Sequence, residues 1–257
     1  MINEKTFLKA LTKYGSNKPF DHCIIDNFFN RKIAYALEKE FPKFNSEIWH
    51  QYNNPIEVKK VCNNWNAFPE LTYKVFNYLN SDQFLKTIRK VIFKNTKLYS
   101  DIGLNGGGWH IHKQGGKLNT HLDYSLHPKL GLQRKLNIII YLNSNWKKEW
   151  DGNLGLWSNE SEERPGKLVK EIVPKFNRAI LFDTTQNSWH GLPNPLKCPN
   201  DEYRKSLAVY YLCQPPVKIN KRGKALFAPT KNQANDKKII DLIKKRSDVK
   251  TASSTYK

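Results

Sequence analysis

Leu136-Asn137-Ile138-Ile139-Ile140-Tyr141-Leu142-Asn143, the stretch LNIIIYLN, is a short apolar run rich in β-branched residues and bounded by polar ones. Its length and composition fit a buried strand. Period-two alternation places Asn137, Ile139 and Tyr141 on one face. Similar runs follow: GNLGLW (152–157), RAILF (178–182) and KSLAVYYL (205–212), separated by Gly, Asn and Pro. Short strands at such spacing argue for a β-sandwich or barrel from about residue 98 onward. Upstream the period changes. RKIAYALEKEF (31–41) carries Ile33, Ala34, Leu37 and Phe41 at helical spacing, and Pro42 stops it. Residues 70–93 repeat that pattern with Leu71, Val75, Phe76, Leu79, Phe84, Ile88 and Ile92, and KKIIDLIKKR (237–246) reads as a short amphipathic helix. The expected fold is α+β: a helical N-terminal support over 1–97, a β core over 98–217, and a basic C-terminal extension over 218–257.

At 257 residues, with 39% hydrophobic and 12% aromatic content, the chain can bury a substantial core. It has no apolar stretch of about eighteen residues, so no membrane span is expected. The opening MINEKTFLKALTKYG lacks an apolar signal region. Cys23, Cys62, Cys198 and Cys213 form no CxxC and read as reduced thiols, so a cytoplasmic location is expected. The net charge is +20. From Lys218 to Lys257 twelve Lys and Arg stand against three Asp, so the last forty residues carry +9 of it. That charge reads first as a solvated basic surface, and second as a site for a polyanionic partner such as nucleic acid. The polar ending TASSTYK reads as a frayed tail.

His121-Leu122-Asp123, with His190 far downstream, is the candidate metal set. Residues i and i+2 of an extended segment share a face, so His121 and Asp123 can bind one ion and a second strand must bring His190. Two imidazoles and one carboxylate leave a face of an octahedral metal open, the arrangement of non-haem Fe(II) oxygenases. His110, His112 and His127 are rival ligands. His127 precedes Pro128 and reads as an exposed turn, while His112 reads as a hydrogen-bond donor to a bound acid. Tyr141 and Asn137 can present a phenol and an amide to a buried ligand, or simply pack. Arg204, Ser206 and Ala208 share a strand face. An inward Arg204 is costly unless a carboxylate neutralises it, whether from a ligand or from an internal Asp or Glu.

The run H-x-D, LNIIIYLN, a Gly-led strand, SWHG (188–191) and R-x-S resembles the 2-oxoglutarate and Fe(II)-dependent dioxygenases, in particular their prolyl-4-hydroxylase-like branch, over roughly residues 105–212. DHCIIDNFF and LEKEFP also resemble the opening of that branch. The resemblance implies a double-stranded β-helix (jelly roll) core. It implies iron ligation by His121, Asp123 and His190. Arg204 would hold the distal carboxylate of 2-oxoglutarate, with Tyr141 and Ser206 assisting. It further implies O2 as oxidant, ascorbate as reductant, and hydroxylation of a prolyl residue in a peptide or protein with succinate and CO2 released. Two departures stand out. The gap from His190 to Arg204 is fourteen residues, and Arg204 replaces the lysine of collagen-type enzymes.

Competing readings are AlkB-like demethylation of nucleic acid, small-molecule hydroxylation, a zinc hydrolase using the same ligands, and a silent jelly-roll binding module. The demethylase branch carries a second Arg six residues after the first, where this chain has Tyr210. Segments 44–66, 98–112 and 191–203 are expected to form the rim, where Trp49, Trp65 and Trp109 can stack on a substrate ring or anchor the packing.

Overall fold

The computed structural model describes residues 1–256. Residues 136–141 of LNIIIYLN lie in a nine-residue strand whose two faces meet different surroundings, and this sets the architecture. In chain order the elements begin with α1 (Glu4–Leu11), β1 (His22–Ile25), α2 (Arg31–Glu40), β2 (His50–Asn54) and β3 (Glu57–Cys62). Next come α3 (Glu70–Leu79), α4 (Asp82–Val91), β4 (Tyr99–Ser100), β5 (Gly108–His112), β6 (Lys117–Leu118) and β7 (His121–Leu122). The rest are β8 (Gln133–Tyr141), β9 (Leu154–Ser161), β10 (Arg164–Ile172), β11 (Ala179–Asp183), β12 (His190–Gly191), β13 (Arg204–Cys213), β14 (Leu226–Phe227) and α5 (Lys237–Ser247).

The strands form two antiparallel sheets. The major sheet runs β1-β11-β8-β13-β5-β3-β2, with β4 beside β13 and β6 beside β3. The minor sheet runs β10-β9-β12-β7-β14. Together they make a double-stranded β-helix core. In the central strands of the major sheet, alternate residues serve two cores. Leu136, Ile138 and Ile140 of β8, Leu207, Val209 and Tyr211 of β13, and Trp109 and Ile111 of β5 face the helices, packing with Phe7, Leu37, Phe76 and Phe84. The residues between them face the minor sheet. Burial on both faces is why these strands read as nearly continuous apolar runs. Ile140→Ala removes a fully buried side chain from the helix-facing layer. It is expected to cost about 2–5 kcal/mol in equilibrium urea unfolding; a change below about 1 kcal/mol would contradict this packing.

The apolar pattern over 70–93 resolves into two helices rather than one. Asn80 turns its amide back onto the Phe76 carbonyl at 2.9 Å, and the Ser81 hydroxyl caps the next helix by accepting from Phe84 N at 3.3 Å. The N-terminal support is not purely helical, because β1 joins one end of the major sheet and the β2–β3 hairpin extends the other. The expected frayed tail is also corrected. Residues 252–256 form a 3-10 turn in which Ala252 and Thr255 are buried; Lys257 lies outside the described residues. No helix among the described residues is long and apolar enough to cross a membrane.

Candidate metal and cosubstrate site

Between the sheets lies a cavity of about 190 Å³, lined by His121 and His190 from the minor sheet and by Asn137, His112, Arg204 and Ser206 from the major one. β7 and β12 are antiparallel neighbours with His121 directly opposite His190. Gly191 permits this approach, since a Cβ there would sit 2.8 Å from the Asn119 carbonyl oxygen. Ligand atoms of His121, Asp123 and His190 all lie within 4.8 Å of one another. His121 Nε2 is 3.9 Å from Asp123 Oδ1, and His190 Nε2 is 3.9 Å from Asp123 Oδ2. These gaps are too long for hydrogen bonds and leave room for an ion between the groups.

The donor chemistry fits such an ion. His121 Nδ1 lies 3.0 Å from the Asn119 carbonyl and His190 Nδ1 2.8 Å from that of Ser188. Those carbonyls hold the proton on Nδ1 and leave each Nε2 lone pair facing the carboxylate. Burial, and then His190, push the His121 pKa well below its ordinary value, which keeps the ring neutral as a ligand must be. Burial works to raise the Asp123 pKa, but Arg134, His190 and His121 hold it below the usual carboxylate value. Asp123 Oδ2 is buried without a hydrogen-bond partner.

Arg134, Tyr124 and Tyr210 complete the carboxylate's surroundings, and sequence reasoning missed these roles. Arg134 Nη1 lies 3.3 Å from Asp123 Oδ1. Its guanidinium is sandwiched between the Tyr124 and Tyr210 rings, 3.4 Å from each centroid. The Tyr210 hydroxyl donates to Asp123 Oδ1 at 3.5 Å. Strand parity could have placed Tyr210, which shares a face with Arg204 and Ser206. It could not have placed Arg134, because the pairing steps from Tyr211↔Leu136 to Leu212↔Arg134 and the irregularity re-aims that side chain.

Across the cavity, Arg204 is 4% exposed. Its Nε donates to the Gly152 carbonyl at 2.7 Å and its guanidinium lies over the Tyr141 ring at 4.9 Å. Gly152 has φ +79, and a Cβ there would meet Arg204 Cδ at 3.0 Å. No carboxylate among the described residues pairs with Arg204, so the internal-salt-bridge reading of this residue does not hold. Around it stand buried groups without hydrogen-bond partners: both ring nitrogens of His112 and Oδ1 of Asn137. Ser206 lies opposite Tyr141 on one side and His110 on the other. This set suits an anionic, oxygen-rich small molecule.

One expectation needs correction, and two open alternatives are decided. His127 is buried, not in an exposed turn; its Nε2 lies 3.7 Å from Asp101 Oδ1, and its Nδ1 accepts from the backbone N–H groups of Lys129 and Leu130. His110 and His112 line the cavity without joining the metal cluster. Of the two readings of the tryptophans in the segments expected at the rim, packing holds over stacking on a substrate ring: Trp49 and Trp109 pack with Phe41, and Trp65 packs on Phe68 and Phe76. Tyr52, Asn105 and Leu192 line the cavity from the same three segments instead. The basic extension is built into the site. β14 pairs with β7, stacking Phe227 on His121 at 5.0 Å, and Lys224 and Arg246 line the mouth.

Burial also sets a pH dependence. It lowers His110 to about 3, and it holds His112 and His121 well below the ordinary 6.5. An unfolded chain takes up protons on these rings below about pH 6.5 while the folded one does not, so stability is present above that pH and lost below it. Each ring contributes up to about 1.4 kcal/mol of that loss by about pH 5.5. The metal-free protein is therefore expected to melt at least about 3 °C lower at pH 5.5 than at pH 7.5. An unchanged Tm would mean the rings protonate freely in place.

Residues 107–212 match the sequence profile of the 2OG-Fe(II) oxygenase superfamily. The chain is 21% identical over 215 residues to the mouse (Mus musculus) prolyl 3-hydroxylase OGFOD1, covering 77% of this chain and 34% of that protein. It is 33% identical over 63 residues to the Xenopus laevis prolyl 3-hydroxylase OGFOD1, covering 24% of this chain and 12% of that protein. It thus spans about a third or less of the relatives' length. Among solved structures, a Pseudomonas putida prolyl-4-hydroxylase superposes with a TM-score of 0.57 at 14% identity, covering 81% of this chain and 100% of that one. A Trichoplax adhaerens prolyl hydroxylase, in complex with a hypoxia inducible factor peptide fragment, superposes with a TM-score of 0.53 at 18% identity, covering 82% and 90%.

Proposed function

We propose, from the premise that residues 107–212 belong to the 2OG-Fe(II) oxygenase superfamily, that this chain hydroxylates an unactivated C–H bond, the acceptor being a prolyl residue of a peptide or protein. The observation that carries the reading is the buried Arg204, without a carboxylate partner among the described residues, facing a His-Asp-His cluster across one cavity. Fe(II) and 2-oxoglutarate, with O2, supply the oxidation that replaces hydrogen by hydroxyl and releases succinate and CO2.

The chain's own residues do the rest. His121, Asp123 and His190 hold the iron, the two rings locked by carbonyls and the carboxylate kept ionised by Arg134. Arg204 neutralises the distal carboxylate of 2-oxoglutarate, a task suited to a fork of N–H donors. Tyr141 backs that guanidinium, Ser206 lines the pocket beside it, and Asn137 and His112 offer unused polar atoms for orientation. Enclosure between the sheets limits water at the reacting centre.

Prolyl hydroxylases among the relatives and fold neighbours support the choice of acceptor. Tyr210 weighs against nucleic-acid demethylation: the position that branch gives to a second arginine is taken here by a tyrosine bonded to Asp123. We place the chain in the cytoplasm, because its four cysteines are buried and unpaired. The test is incubation of Fe(II)-loaded protein with labelled 2-oxoglutarate and proline-containing peptides, following succinate and a mass gain of one oxygen. Absence of any 2-oxoglutarate turnover by the iron-loaded protein would overturn the reading.

A further inference from the structure

Lys59 is a cation of this cavity that neither the metal cluster nor the cosubstrate clamp uses. It stands on β3 opposite Tyr52, while on the other side of β5 Arg204 stands opposite His112. Strands β13 and β3 both flank β5, so their axes lie about 10 Å apart, two strand spacings. The Lys59 side chain is 14% exposed, and its Nζ lies 3.5 Å from Glu57 Oε2, its one ion pair among the described residues. That contact falls short of hydrogen-bond geometry, since Glu57 Oε2 has no hydrogen-bond partner. The other Glu57 oxygen is already bonded by Arg246 Nε at 2.9 Å.

An ammonium carries three donors, and this partly buried one has a long contact to Glu57 and the face of the Tyr52 ring at 5.2 Å, which leaves donors for a ligand. Lys59 lines the same cavity as His110, His112, His121 and Asp123. A carboxylate held by Arg204 leaves Lys59 unserved, because His112 stands between the two cations. A second anion is called for. The adjacent Glu57 oxygen repels a doubly charged phosphate more than a singly charged group.

We propose that Lys59 is a specificity-determining residue that binds a carboxylate of the substrate, either an acidic side chain beside the oxidised residue or a free chain terminus. The inference rests on reading the cavity as the oxidation site. Its test uses the full chain loaded with zinc and N-oxalylglycine, a non-reacting analogue of 2-oxoglutarate, so that binding is read without turnover. Titration calorimetry compares short peptides with a central proline: a capped one with glutamate beside the proline, a capped one with glutamine there, and the glutamine peptide with a free C-terminus.

At least one carboxylate-bearing peptide is expected to bind about tenfold or more tighter than the capped glutamine peptide. Which one does so identifies the source of the carboxylate. Lys59→Met is expected to abolish the preference and Lys59→Arg to keep it. Equal binding of all peptides by the unmodified chain, no binding by any of them, or a preference that survives Lys59→Met overturns the inference. So does an equal weakening of all peptides by Lys59→Met, the result for a lysine that only bonds peptide carbonyls. Failure of the functional reading is seen separately, as absent 2-oxoglutarate turnover by the iron-loaded chain.

Discussion

Asp123→Ala is expected to leave no measurable 2-oxoglutarate turnover and to lower iron affinity by more than about a hundredfold, since loss of an outer-shell partner alone costs 10–100-fold. Asp123 supplies the only carboxylate of the cluster and sits between both histidines, 3.9 Å from each. Its loss removes a ligand and the negative charge that offsets a divalent ion. It also strips the buried Arg134 of its ion pair, and an uncompensated buried charge costs about 3–5 kcal/mol. Arg134 keeps the Asn105 carbonyl and both tyrosine faces, which holds the local fold. Asp123→Asn preserves shape and separates the two effects: iron binding falls while thermal stability changes less. Iron content after anaerobic reconstitution, measured beside the Tm, reads both. A folded variant with a full complement of iron and unimpaired succinate formation would remove Asp123 from the metal site.

Arg204→Ala is expected to raise the 2-oxoglutarate concentration for half-maximal turnover by roughly 30-fold to several thousandfold. Truncating one partner of a buried charge pair costs about 2–5 kcal/mol, and each 1.4 kcal/mol is tenfold. Arg204→Lys should recover part of the loss, because a point charge replaces a fork that fits a carboxylate in two parallel bonds. The folded enzyme itself should tolerate either change, since the described residues supply no carboxylate that would be left unpaired. Succinate formation against 2-oxoglutarate concentration gives the result directly. An unchanged half-saturation point would mean that Arg204 serves the fold rather than the cosubstrate.

Much of the architecture was readable from periodicity. Alternation in LNIIIYLN and in the strand from Arg204 to Cys213 placed Asn137, Arg204 and Ser206 on one face, and they line one cavity. The helices at 31–41 and 237–246 lie where the pattern put them. The break at Asn80-Ser81 was hidden because the apolar spacing runs through it, and only the side-chain caps end one helix and start the next. The tryptophans are packing anchors, one of the two readings their ring size allowed, but the sequence could not say which layer receives them.

Local chemistry was enough to propose the H-x-D pair, the distant histidine and an inward arginine, since period two and the cost of a buried charge act within single strands. Tertiary structure alone decided the partners. A strand irregularity turned Arg134 onto Asp123, the C-terminal extension laid Phe227 against His121, and a hairpin from the N-terminal portion carried Lys59 into the cavity. The last two join residues far apart in the chain. They depend on register and sheet closure, which no local pattern specifies.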